Sequence, residues 1–274
     1  MNLDFIKMNG SGNDFIIFDA RKQAVNLSEP QIRSLCARNN PVTKGCDQLL
    51  ILRKSDIANI FMQIYNADGG EIDACGNATR CIAEILYKEL GKLPVVIQTN
   101  AAILLGVKQQ DDYILIDMGV PRFRWEEIPL AIAVRDAIPK IEEFSGLKNP
   151  ILVSIGNPHV VFFMDELPND GEVAEKGSRI ENFTEVFPKR VNVSFVKYGP
   201  DIIEAKTWER GAGLTKACGT GACAILAAAN QQFERTEAHV KFMNSGETVH
   251  VKMENKHIFL GGSIETEFAG TVEI

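Results

Sequence analysis

The sequence is short of several things that would have assigned it to a class at once. Over its 274 residues no run approaches the ~18 apolar residues that a membrane-spanning helix needs. The opening Met1-Asn2-Leu3-Asp4-Phe5-Ile6-Lys7 lacks the basic region and apolar run of a secretory leader. A cytoplasmic protein with no membrane partner is therefore expected. Positive charge is in deficit: 29 Lys and Arg stand against 36 Asp and Glu, a net charge of −7 with a pI near 5.3. No basic cluster and no aromatic RNA-binding motif appears, which argues against a nucleic-acid partner. Histidine is scarce, with four residues, and the cysteine spacings C-x₅-C (75–81) and C-x₄-C (218–223) have no histidine beside them, so no metal site is expected. Six cysteines (36, 46, 75, 81, 218, 223) could form three disulfides, but the expected reducing compartment argues against that reading. Gly10-Ser11-Gly12 lacks the third glycine and following helix of a dinucleotide fingerprint, and Gly211-Ala212-Gly213-Leu214-Thr215-Lys216 lacks the spacing of a phosphate loop.

What is present is a repeated cysteine motif. Cys75-Gly76-Asn77-Ala78 is followed by Ile82, Ile85, Leu86 and Leu90 at helical spacing, and Cys218-Gly219-Thr220-Gly221 by Ile225, Leu226 and an alanine run. Each cysteine is thus expected at a helix N-terminus. Unused backbone N–H groups and the helix dipole there favour negative charge, and the thiol pKa is expected to fall below its usual ~8.5. The echo extends further. An offset of 143 takes Cys75 to Cys218, Tyr65 to Trp208, Asn66 to Glu209, Gly70 to Gly213 and Ala74 to Ala217. An offset of 144 takes Gly12-Asn13 to Gly156-Asn157 and Gln48 to Asn192. Three separated blocks in one register indicate an internal duplication.

Strands are expected at 3–8, 14–19, 47–53, 58–66, 95–99, 102–108 and 113–118, then near 151–155, 159–164, 191–197 and 202–208, and finally at 238–243, 247–253, 257–262 and 264–268. Ser28-Glu29-Pro30 opens a short helix to Cys36, a second lies around 172–182, and the cysteine helices run over 76–90, stopped by Gly91, and 219–231. Gly119-Val120-Pro121 marks a boundary, followed by a stretch punctuated by Pro121, Pro129, Pro139 and Pro150. The fold class is α+β, with two similar pseudo-symmetric domains, each a curved mixed or antiparallel sheet wrapped round a central helix. The domains are 1–118 with 264–274, holding Cys75, and 119–263, holding Cys218.

Equivalent groups in such a protein would face each other across a cleft, Cys75 and Cys218 approaching a small ligand from opposite sides. One thiolate would remove a proton from a stereocentre and the other thiol deliver one to the opposite face. The N–H groups of Gly76, Asn77, Gly219 and Thr220 would hold a carboxylate and the enolate-like charge that develops.

Lys7-Met8-Asn9-Gly10-Ser11-Gly12-Asn13-Asp14-Phe15, Asn66-Ala67-Asp68-Gly69, Cys75-Gly76-Asn77, Gly156-Asn157-Pro158-His159, Arg190-Val191-Asn192-Val193, Glu209-Arg210-Gly211 and Ala217-Cys218-Gly219-Thr220-Gly221 together resemble diaminopimelate epimerase over essentially the whole chain. The resemblance implies an isomerase of lysine and peptidoglycan precursor biosynthesis that interconverts LL- and meso-2,6-diaminopimelate with no cofactor, pyridoxal phosphate included, and no metal, as a homodimer. It implies that Cys218 accepts the α-proton of the LL substrate while Cys75 donates one. Gly76, Asn77, Gly219 and Thr220 then bind the reacting carboxylate; Asn13, Gln48, Asn66, Asn157, Asn192, Glu209 and Arg210 line the site and read the distal end; His159 and Glu209 tune the two thiols. Ala78 stands where the family has glycine, Gly70 where serine is common, and residues 40–48 depart from the family's glycine-rich version. Cys81 and Cys223 are assigned to packing, and Cys36 and Cys46 show no partner.

Two rival readings remain at this stage. A related two-cysteine racemase could act on another amino acid, against which Asn66, Asn192 and Arg210 argue. A non-catalytic metal or thiol-redox module would betray itself by metal content.

Overall fold

The computed structural model describes residues 2–73, 75–108 and 114–274. Ala74 of the first cysteine motif and Tyr113, the expected start of a strand, lie outside the described residues. The chain divides into two compact units, Met1–Asp117 with Gly261–Ile274, and Met118–Leu260.

The first unit comprises β1 (Asn2–Gly10), β2 (Asn13–Asp19), α1 (Glu29–Cys36), β3 (Gln48–Arg53), β4 (Ile60–Asn66), β5 (Glu71–Ile72), α2 (Gly76–Leu90), β6 (Val95–Gln98), β7 (Ile103–Lys108) and β8 (Ile114–Asp117). The second comprises α3 (Val134–Ser145), β9 (Ile151–Ser154), β10 (Pro158–Phe163), α4 (Asp170–Glu181), β11 (Asn192–Lys197), β12 (Ile202–Glu209), β13 (Gly213–Leu214), α5 (Gly219–Phe233), β14 (Glu237–Phe242), β15 (Thr248–Glu254) and β16 (His257–Gly261). The last strand, β17 (Ile264–Glu273), returns to the first unit and pairs antiparallel with β1 from Asn2↔Glu273 to Gly10↔Ile264.

The two units repeat one strand plan. In the first, β2 pairs parallel with β3, β3 antiparallel with β4, β4 parallel with β6, and β6 antiparallel with β7. In the second, β10, β11, β12, β14 and β15 repeat those four pairings in the same order and sense. The register is repeated as well: Phe15 faces Gln48 in one unit and His159 faces Asn192 in the other, each residue displaced by 144 positions.

Each unit wraps its strands round its cysteine helix. Gly221 through Ala229 of α5 are all buried, so this helix is enclosed on every side, by β9, β10, β11, β14 and β15. Helix α2 buries Asn77 through Ala83 and Leu86 against β1, β2, β6, β7, β8 and β17. It ends at Gly91, whose left-handed φ of 65° lets its N–H cap Tyr87 O at 2.9 Å. Such enclosure requires close approach. A Cβ on Gly106 of β7 would lie 2.7 Å from Ala83 Cβ on α2 and 2.8 Å from Val95 Cγ2, too near for a side chain.

One helix escapes the sequence reading. Helix α3 occupies the proline-punctuated stretch and carries Pro139 inside it, at the loss of an i→i−4 hydrogen bond. Its apolar face decides the matter: Ala137 and Ile141 are fully buried, Phe144 stacks on Phe183 with centroids 4.1 Å apart, and α3 packs on α4. That burial offsets a penalty of about 3 kcal/mol.

The Gly106 contact gives a direct test. Gly106→Ala should destabilise the protein by about 1–3 kcal/mol through overpacking, lowering the urea midpoint with an unchanged slope. An unchanged midpoint would show that α2 and β7 are not held at this separation.

Candidate active site

In the first unit, a tight hairpin brings β1 and β2 against the start of α2. The turn Gly10-Ser11-Gly12-Asn13 has both central residues in the left-handed region (Ser11 φ 50°, Gly12 φ 83°), as a two-residue hairpin demands. Ser11 accepts a hydrogen bond at 2.8 Å from the fully buried Arg80 of α2. A Cβ on Gly10 would lie 3.0 Å from Asn77 O and 3.1 Å from Cys81 Sγ, so the turn presses directly on the helix's first turn. Cys75 is the N-cap of α2 and half-buried. Its carbonyl accepts from Thr79 N (3.0 Å) and Thr79 Oγ1 (2.8 Å). Asn77 is 3% exposed and its Oδ1 is buried with no hydrogen-bond partner. On the neighbouring strands Gln48 and Asn66 are register partners, Gln48 Nε2 donating to Asn66 Oδ1 at 3.1 Å while Gln48 Oε1 is buried and unpaired. Orphaned buried acceptors are costly, and they cluster where a ligand's donors would satisfy them.

In the second unit Cys218 is the N-cap of α5 and 3% exposed. Gly221 N–H donates to its sulfur at 3.2 Å, and Thr220 Oγ1 lies 3.6 Å away. A Cβ on Gly221 would sit 3.1 Å from Sγ, which is why this position is glycine. The buried Glu209 carboxylate, which accepts from Thr215 Oγ1, also acts on this thiol.

The expected lowering of the thiol pKa is overturned at Cys218. Burial, followed by the charge of the Glu209 carboxylate, pushes it well above the ordinary value, and the bonds from Thr220 and Gly221 oppose this only in part. The helix terminus loses to desolvation because the thiol is inside the protein instead of at its surface. Glu209 is also raised by burial, against the bonds from Thr215 and Cys218. Burial thus keeps the proton on the Cys218 sulfur and makes Glu209 a weaker acid than an exposed glutamate. A thiolate formed at this sulfur would be a strong base, because its pKa is high.

A hydrogen-bonded chain links His159 to the same helix start. His159 Nε2 lies 2.9 Å from Asn157 Oδ1, and Asn157 Nδ2 donates to Thr220 Oγ1 at 3.3 Å. With Asn157 Oδ1 as acceptor, the assigned tautomer carries its proton on Nε2. His159 is fully buried, its Nδ1 has no hydrogen-bond partner, and burial, then the Arg210 charge, lowers its pKa to about 3. The imidazole is neutral. Asn192 spends both ends of its amide inside the unit, donating to Pro158 O (2.9 Å) and accepting from Arg210 N (2.9 Å). The Arg210 guanidinium is exposed and bonded to Lys189 O at 2.9 Å. Cys81 and Cys223 are fully buried, the former raised to about 12 by desolvation, as packing residues should be.

Two contributors were not read from the sequence. Thr215, inside the segment examined only as a phosphate loop, holds Glu209. Glu181, on the polar-patterned α4, is 4% exposed and accepts from Trp208 Nε1 (2.7 Å), Gly211 N (2.8 Å) and Arg190 Nη1 (3.0 Å), clasping the strand end that bears Glu209 and Arg210. Neither lies in a motif; only a tertiary contact reveals them.

The buried neutral His159 carries a pH signature. Its folded pKa lies below the unfolded 6.5, so the unfolded chain binds the extra proton as pH falls. The stability it contributes is present above pH ~6.5 and should be lost toward pH ~3, by up to about 1.4 kcal/mol per pH unit. Urea unfolding between pH 7 and 4.5 should show a shallower loss in His159→Gln than in the parent; parallel curves would refute the assignment.

Comparison with known proteins places the chain in a family. The family model described as diaminopimelate epimerase matches residues 5–124 and 151–266. Proteins named diaminopimelate epimerase from Acidiphilium cryptum and Zymomonas mobilis are 37% and 39% identical, covering 98% and 100% of this chain and 96% and 98% of their own. Another from Erythrobacter litoralis is 39% identical over 100% of this chain and 98% of its own. Among solved structures, a phenazine biosynthesis PhzF-family protein from Enterococcus faecalis (TM-score 0.66, 14% identity, 100% of both chains) has the same fold. So does a probable proline racemase from Agrobacterium radiobacter (TM-score 0.63, 12% identity, 99% of this chain and 93% of that one). With two repeated units, each enclosing a helix that starts at a cysteine, the chain belongs to the diaminopimelate epimerase family.

Proposed function

We propose that this isomerase interconverts LL- and meso-2,6-diaminopimelate by moving the α-proton between two thiols. The observation that carries the reading is the repeated placement of a cysteine as helix N-cap, Cys218 on α5 and Cys75 on α2. Near-full-length relatives bearing the same name supply the substrate.

In the LL-to-meso direction Glu209 takes the proton of Cys218, and the thiolate removes the α-proton. Cys75 gives its proton to the opposite face of the carbon, inverting it. The reverse reaction exchanges the roles. Negative charge spreads from the carbon onto the carboxylate as the C–H bond breaks. The first-turn N–H groups of Gly76, Asn77, Gly219 and Thr220, which their helices cannot use, stabilise it. Gly221 N–H and Thr220 Oγ–H serve the sulfur. Asn13, Gln48, Asn66, Asn157, Asn192 and Arg210 bind the remainder of the substrate, with the exposed Arg210 fork matched to the distal carboxylate. His159 is the second thiol-tuning group. No electron sink beyond these donors is needed, so the reaction is written without a cofactor or metal. Residues 1–118 with 264–274 and residues 119–263 act as its two functional domains. The enzyme would work in the cytoplasm as a homodimer, in the route to lysine and peptidoglycan precursors. Among the described residues no helix is long and apolar enough to cross a membrane.

Under reducing conditions, wild-type protein should convert LL- to meso-diaminopimelate and exchange the α-proton in D₂O. Cys75→Ser and Cys218→Ser should each lose at least about 10²–10⁴-fold in kcat, the typical worth of a positioned acid or base. Absence of turnover by the wild type, with both thiols titratable, would defeat the substrate assignment. Glu209→Gln should lower kcat and shift the basic limb of its pH profile, since the amide cannot take the thiol's proton; an unchanged profile would remove Glu209 from the mechanism.

A further inference from the structure

Cys36 and Cys46, which the sequence left without partners, lie side by side in the first unit. Cys46 N–H donates to Cys36 O at 3.1 Å, and the two sulfurs are 3.4 Å apart. Both are buried, at 2% and 1% exposure. The intervening loop is firmly seated. Thr43 Oγ1 donates to Leu35 O at 2.6 Å, Lys7 Nζ donates to Gly45 O, and a Cβ on Gly45 would strike Ala37 O at 2.6 Å. From this loop Arg38 reaches both Asp14 and Asp47, the neighbours of Asn13 and Gln48. The pair is asymmetric: the hydrogen bond from Cys46 and the Arg38 charge lower the Cys36 thiol, while Cys46 is raised.

We propose that Cys36 and Cys46 form a reversible intramolecular disulfide, a modification site distinct from the cysteines at the two helix starts. The oxidant is a peroxide small enough to enter a closed core. The Cys36 thiolate attacks one oxygen of hydrogen peroxide, the O–O bond breaks, and the departing hydroxide leaves as water with the thiol's proton. Cys46 sulfur then attacks the resulting sulfenic sulfur, the S–O bond breaks, and a second water leaves with the Cys46 proton. Two thiols and one peroxide give one disulfide and two waters, the sulfurs losing the two electrons that the peroxide gains. Contact thiols need close only from 3.4 Å to the ~2.05 Å of a disulfide, with their backbones already hydrogen-bonded. The bond ties the end of α1 to the approach of β3 and fixes the loop that carries Arg38.

The experiment treats the reduced full-length protein with a small excess of hydrogen peroxide, blocks remaining thiols and maps the peptides by mass spectrometry. The Cys36 and Cys46 peptides should appear joined, lighter by two hydrogen atoms, and separate again after dithiothreitol. Thermal unfolding should rise by about 5 °C on oxidation, from closure of a short loop. The rise should persist in a Cys75→Ala/Cys218→Ala variant and vanish in Cys36→Ala. Recovery of both cysteines as blocked thiols, or linkage of either to a different cysteine, would overturn the proposal. So would a rise in Tm that disappears with the Cys75→Ala/Cys218→Ala pair. None of these readouts requires epimerase activity, so the proposal and the substrate assignment fail separately.

Discussion

Both cysteine motifs rest on a property of every α-helix: its first turn has N–H groups that no carbonyl of the same helix can reach. In α2 and α5 these groups are brought inside strand walls, where water cannot easily satisfy them. A thiolate, a carboxylate oxygen or an enolate can. The arrangement therefore couples stability to chemistry, because what the helix start lacks is what a developing negative charge requires. The surrounding details serve this placement. Glycine at 221 lets the backbone reach the Cys218 sulfur, and Gly10 lets the β1–β2 turn reach Asn77.

Burial shifts the chemistry of Cys218 in a direction that the helix terminus alone would not. A surface thiol at a helix start becomes more acidic, whereas this one, dried and set beside a carboxylate, becomes less so. For attack on a carbon-bound proton that is an advantage. In the proposed mechanism the base must be strong when formed, and Glu209, itself raised by burial, is the group proposed to receive the thiol's proton. Thr215 and Glu181 keep that carboxylate and its strand end in place.

The parts of the fold written in short-range pattern were legible. Alternation gave every strand but the two-residue β5 and β13, the enclosed apolar helices were visible as runs at helical spacing, and Ser28, Pro30 and Gly91 marked helix ends where the chain does begin and end its turns. The duplication register, read from Gln48 and Asn192, reappears as repeated strand pairing. Helix α3 was hidden because Pro139 is a stronger local signal than the spacing of Ala137 and Ile141, and only packing on α4 reverses the balance. The adjacency of Cys36 and Cys46 was hidden for another reason: the nine residues between them can close in many ways, and nothing in their identities chooses one. The Cys218 pKa required knowing how deeply the sulfur lies, which spacing does not encode.

The return of β17 to pair with β1 has a consequence for the order in which the molecule can be made. The second unit is one continuous stretch, 118–260, and has every strand it needs once that stretch has left the ribosome. The first unit begins earlier but finishes later. Until residues 264–273 emerge, one edge of β1 offers unpaired backbone groups to any strand nearby. The half that is synthesised first is thus the half that is completed last, and the nascent chain carries an open sheet edge through nearly the whole of its translation.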